Sequence, residues 1–152
     1  SGDWSSDVCS SDLVGTGVVP FRSQILDAFE KGCDTEVYLY HGNRYEDSIL
    51  YDDELKALAE KHANFHYMPC ISRPKGEWAG FQGYVQNKLK EVVNNSDEKD
   101  ALFYICGVNA MIEDVCEHLK SVGYEDEHIH YEKYDWTRVS TQRNFEVFKF
   151  FL

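Results

Sequence analysis

The chain has 152 residues, a length that fits one domain. Its 43% hydrophobic and 28% charged residues match a globular composition, and no apolar run nears the ~20 residues that cross a bilayer. Fifteen basic against twenty-seven acidic side chains leave a net charge of −12, a field that repels nucleic acid and anionic membrane, so neither is an expected partner. Five cysteines (Cys9, Cys33, Cys70, Cys106, Cys116) form an odd set without CxxC spacing. They argue against a disulfide framework and a zinc site, and suit a reducing cytoplasm.

Residues 1–13 (SGDWSSDVCSSDL) hold five serines and three aspartates, with neither the basic nor the apolar stretch of a signal peptide. A polar leader is one reading. The other, which we favour, is a non-native tract: it resembles translated sequencing adaptor fused to a gene fragment. Residues 20–30 place Phe21, Ile25, Ala28 and Phe29 on one helical face. Pro20 suits the first turn and Gly32 the stop. A short strand follows at 36–40, then a helix at 52–62 with acids leading. Residues 65–71 read as a strand and 84–93 as a helix burying Val85, Leu89, Val92 and Val93. Residues 101–106 (ALFYIC) are apolar throughout, as expected of a strand covered on both faces. A helix at 110–122 and a strand at 129–134 complete the alternation.

This order predicts an α/β fold: an open, doubly wound parallel sheet with helices on both faces. One element is missing. The helix at Pro20 should follow a central strand, but only Leu13 and Val14 remain of it, so that strand is truncated or replaced. Three segments result: a leader at 1–13, the folded domain at 14–135, and an extension of uncertain origin at 136–152. The extension ends in an aromatic, strand-like run whose pairing partner cannot be read from the sequence.

Several segments could carry chemistry. Residues 14–20 (VGTGVVP) make a glycine turn opening a helix, where backbone N–H groups at the positive end suit a phosphate. No third glycine stands at GxGxxG spacing, and the strand at 36–40 leads into His41-Gly42-Asn43-Arg44 rather than a ribose-binding acid. Both points disfavour an ordinary Rossmann dehydrogenase. Ser72, Arg73 and Lys75 follow a strand end and could clasp a phosphate, although a solvated loop is the simpler reading of these residues alone. Tyr84 and Gln86 stand at the next helix start, where a tyrosine stacks on a purine or packs on its own helix. Cys106 ends the most apolar strand, and a small buried hydrophobe explains it as well as a functional thiol does. His128 and His130 could share a strand face, but exposed polar positions explain them better than a metal, and no metal site is expected.

In order, GTGVVPFRS, LYHGNRYEDSILYDDEL, SRP followed by GYVQ, YICGVNAM and HIHYEKY resemble the nucleotide-binding half of the ferredoxin–NADP reductase family over residues 14–135. The resemblance implies an oxidoreductase domain that binds NADP or NAD beside an FAD held mainly by another domain. It assigns Gly15, Thr16, Gly17 and Pro20 to the diphosphate, and Ser72 and Arg73, aided by Lys75, to a 2′-phosphate. Tyr84 is assigned to adenine, with Gln86 beside it. Cys106 and Gly107 belong to the nicotinamide, Met111 to the dinucleotide lining, Glu132 to a carboxylate near the nicotinamide, and Tyr134 to a flavin cover. The implied reaction is hydride transfer, with Cys106 and Glu132 the catalytic pair and donor and acceptor held about 3–3.5 Å apart. A non-catalytic nucleotide-binding module is the alternative. The electron acceptor is left open.

Overall fold

The computed structural model describes residues 17–97, 100–132 and 147–151. Its elements in chain order are α1 (Val18–Glu30), β1 (Glu36–Asn43), α2 (Asp52–Lys61), β2 (Phe65–Ile71), β3 (Phe81–Gln82), α3 (Val85–Asn94), β4 (Ala101–Cys106), α4 (Asn109–Ser121), β5 (Ile129–Glu132) and β6 (Val147–Phe151). All strand pairs are parallel, in the order β3-β2-β1-β6-β4-β5.

Strand periodicity explains why helices cover both faces. Successive strand residues point to opposite sides, so an apolar strand must be covered twice. In β1 and β4, Leu39, Leu102 and Tyr104 join one core with Val18, Phe21, Ile25 and Phe29 of α1 and Leu55 of α2. Tyr40, Phe103 and Ile105 join the other, with Val85, Leu89 and Val93 of α3 and Met111, Ile112, Val115 and Leu119 of α4. Helices α1 and α2 therefore lie on one face and α3 and α4 on the other. This is the doubly wound arrangement expected from the sequence. Gly32 follows α1 at φ +81°, a conformation that costs glycine least and ends the helix there.

Two features exceed the sequence reading. Strand β3 is only two residues long, too short for any periodicity. It adds to the edge of β2 through Cys70 opposite Phe81 and Ile71 opposite Gln82. The second feature is β6. It occupies the centre of the sheet, with Val147 to Phe151 in register against residues 36–40 of β1 on one side and residues 101–105 of β4 on the other. That is the position where the strand preceding α1 was expected, and the C-terminal run fills it. The adaptor-like tract and the segment 133–146 lie outside the described residues.

Helix α2 is tied to α1 by charge. The Arg22 guanidinium donates to both Glu54 carboxylate oxygens at 2.5 and 2.6 Å and lies 4.7 Å over the Tyr51 ring. Tyr51 has φ +59°, an uncommon conformation for a side-chain-bearing residue, at the entry to α2.

Because β6 is the neighbour that joins β1 to β4, deleting residues 147–152 is expected to abolish cooperative thermal unfolding followed by circular dichroism. A truncated chain that melts like the full one would refute the central placement of β6.

Candidate functional site

Parallel strands bring every C-terminal strand end to one edge of the sheet, and the loops leaving that edge carry the candidate residues. Helix α1 starts there. Gly17 is its buried N-cap, and Pro20 lies in the first turn. The first turn holds no acidic residue and no side chain caps it, so the partial positive charge of that helix end is uncompensated among the described residues. Phe21 packs edge-on against Tyr104 of β4, with ring centroids 6.5 Å apart. Val18, Phe21 and Cys106 share one apolar core. The start of α1 and the end of β4 thus meet on the same side of the sheet. Gly15 and Thr16 lie outside the described residues.

At the end of β4, Cys106 is 5% exposed and pairs in register with Glu132 of β5, which brings both positions to one level. Gly107 follows. A Cβ there would collide with the Met111 side chain, whose Sδ would lie 3.1 Å away, and Met111 itself is fully buried. The atoms met are the end of the Met111 side chain, so a larger residue at this point would require Met111 to move. Tyr134 lies outside the described residues.

The second cluster lies where β1, β2 and β3 end. Ser72 donates its N–H to the Asn43 carbonyl at 3.0 Å, and Arg73 donates to the Arg44 carbonyl at 2.8 Å, extending the β1–β2 ladder past the strands. Ser72 is half-buried and Arg73 exposed. The Lys75 ammonium pairs with Asp47 at 2.6 Å and lies 4.7 Å over the Tyr45 ring, so it has a protein partner that the sequence reading did not foresee. Gly83, at φ +143°, lets the chain turn from β3 into Tyr84, the extended residue capping α3. Gln86 is 7% exposed and Asn43 6%, and among the described residues the Gln86 Oε1 accepts no hydrogen bond and the Asn43 Nδ2 donates none. Buried polar atoms without partners mark places that a polar ligand can satisfy. From the sequence, Asn43 and Arg44 were read only as a strand end that lacks a ribose-binding acid, not as site residues. Their signal was a polar pair at the end of β1, Asn43 its last residue and Arg44 the first beyond it.

The remaining candidates are structural. Burial pushes the Cys70 thiol up to about 12 and raises that of Cys116, which fits packing roles. His66 pairs with Glu36 at 2.6 Å, and His62 packs on Phe29. His128 closes a turn by accepting the Glu125 N–H, while His130 stacks on Tyr104, so the two do not share one strand face. Among the described residues, no three metal-capable side chains converge, and no helix is long and apolar enough to cross a membrane.

Residues 14–117 match the family described as "Oxidoreductase NAD-binding domain". The chain is 33% identical over 126 residues to "Ferredoxin--NADP reductase B" of Sorangium cellulosum, covering 80% of this chain and 52% of that protein. It is 33% identical over 120 residues to a chain of the Na(+)-translocating NADH-quinone reductase of Klebsiella pneumoniae, covering 76% and 30%. Among solved structures, the Amycolatopsis cytochrome P450 reductase GcoB superposes with a TM-score of 0.68 at 26% identity, over 79% of this chain and 35% of that one. The CS-b5R domains of human Ncb5or in the NAD+ form give 0.67 at 28%, over 77% and 34%. The chain spans about half or less of each relative. Family match, relatives and fold agree: the chain belongs to the oxidoreductase NAD-binding domain family and is an NAD(P)-binding domain of the ferredoxin–NADP reductase-like flavin oxidoreductases.

Proposed function

We propose that this domain binds NAD(P)H along the sheet edge and presents its nicotinamide for hydride transfer to FAD held by a domain outside this chain. The observation that carries the reading is the shared core of Val18, Phe21 and Cys106, which puts the α1 start and the β4 end on one side of the sheet. Two unsatisfied buried polar atoms and the glycine beneath Met111 support a fit to a dinucleotide.

The diphosphate sits at Gly15, Thr16, Gly17 and Pro20, where backbone N–H groups and the helix dipole favour its charge without a cationic side chain. Tyr84 stacks on the adenine, with the Gln86 amide beside it. Ser72 and Arg73 hold a 2′-phosphate, and Lys75, shared with Asp47, adds charge to that end. Cys106 and Glu132 flank the nicotinamide, Gly107 gives the ring room and Met111 lines the cleft. Tyr134 covers the flavin. Cys106 orients and excludes water rather than forming a covalent bond, since hydride transfer needs alignment and no nucleophile. The bound flavin supplies the electron-accepting chemistry.

The relatives' names point to both NADPH and NADH and to several electron acceptors, including "Toluate 1,2-dioxygenase electron transfer component" of Pseudomonas putida at 28% identity. We propose NADPH as the preferred nucleotide, on the exposed Arg73. The acceptor we propose is a protein or domain without a strongly acidic face, because a chain at −12 repels acidic partners. The cysteine pattern favours a cytoplasmic setting. In the assembled protein we take residues 1–13 as a non-native leader and count the run 147–151 with the functional domain, because that strand pairs with both β1 and β4.

Arg73→Ala is expected to weaken 2′,5′-ADP binding by about tenfold or more, in line with the loss of one charge-assisted contact of about 1.5–3 kcal/mol, and to leave 5′-AMP binding unchanged. Isothermal titration of this chain measures both, and an equal loss for the two ligands would remove Arg73 from the 2′-phosphate. Cys106→Ser, placed in the flavin-containing parent protein, is expected to slow single-turnover flavin reduction at unchanged nucleotide affinity. A wild-type rate in stopped-flow absorbance would end that assignment.

A further inference from the structure

Two loops border the Ser72–Arg73 turn: residues 44–51 after β1 and residues 72–80 after β2. Backbone pairing carries them one step past the strands, through the Ser72–Asn43 and Arg73–Arg44 hydrogen bonds. Beyond that point the backbones part, and a carboxylate takes over. Lys75 donates its N–H to both Glu46 oxygens, at 3.1 Å to Oε1 and 3.0 Å to Oε2, and Gly76 donates to Oε1 at 3.1 Å. Glu46 is itself fixed: it opens a 3-10 turn (Glu46–Ser48) in which the Ser48 N–H and hydroxyl both donate to the Tyr45 carbonyl. Next to it, Asp47 pairs with the Lys75 ammonium.

The N–H of Lys75, foremost, then Glu46's own N–H and that of Gly76 hold the Glu46 carboxyl below its ordinary value of 4.5, against burial and the neighbouring Asp47. A depressed value means that the anchor is complete above the ordinary carboxylate range and is lost only as pH falls through the lowered one. Near neutrality Glu46 is a fixed anion that receives two backbone donors from the facing loop, beside its own N–H. It contributes no positive charge, so it is not itself a phosphate ligand.

Resting on the proposed function, we infer that Glu46 is a positioning residue for the nucleotide's 2′-phosphate end: by fixing the backbone at Lys75 and Gly76 it holds Ser72 and Arg73 ready for that phosphate. Exposed N–H groups that lose this acceptor find water, so removing Glu46 changes fold stability little. The loop gains conformational freedom instead, and ligand binding must then order it. Electrostatics alone gives the opposite sign, because deleting an anion beside a phosphate site would strengthen binding.

The test is isothermal titration of the full chain with 2′,5′-ADP, comparing wild type, Glu46→Ala and Glu46→Gln, with amide hydrogen exchange read at Lys75 and Gly76. The expected result is binding weakened about tenfold in Glu46→Ala and less in Glu46→Gln, which keeps one acceptor, with faster exchange at both amides and an unchanged thermal midpoint. Affinity in Glu46→Ala equal to or above wild type overturns this inference and leaves the nucleotide reading standing, and Glu46→Gln decides the matter in the same way if Glu46→Ala fails to fold. A wild-type chain that binds no 2′,5′-ADP overturns both.

Discussion

The parallel run of all six strands is the constraint on which the rest depends. It sends every strand end to one edge, so residues far apart in the sequence, from Gly17 to Arg73 to Cys106, emerge on the same side of the molecule. It also buries the sheet on both faces, which is why β4 is apolar along its whole length and why two separate cores form. Chemistry is then confined to the edge loops, because the faces are filled by helices.

Within that frame the two ends of the proposed site are built differently. At the α1–β4 end, backbone does the work: a helix start without acidic residues, a glycine that passes under Met111, and an apolar wall of Phe21 on Tyr104. At the β1–β2 end, side chains do it, with Arg73 and Ser72 on a loop pinned by Glu46 and Asp47. The first arrangement suits a group common to all dinucleotides. The second suits discrimination between them, since one charged contact can be made or lost without disturbing the sheet.

Much of this was legible in the amino-acid order because it is local. The stripe of Phe21, Ile25 and Phe29 fixes the buried face of α1, and ALFYIC declares a doubly covered strand, so fold class and the Cys106 position follow from periodicity alone. What was hidden depends on distant partners. Lys75 looks available in the sequence, yet its partner Asp47 stands 28 residues away. Glu46 carries no signal in the sequence, because the Lys75 and Gly76 amides that it accepts from stand 29 and 30 residues away. The run at 147–151 carries no sign of its neighbours, since a strand's pairing is set by which slot in the sheet is vacant and not by its own residues.

The central claim is that one dinucleotide spans both ends of the edge. The amide NMR spectrum of the chain during titration with NADP+ tests it most directly. The account predicts that Gly17, Ser72 and Gly107 shift together with a single dissociation constant. Shifts at one end alone, or with separate constants, would contradict it.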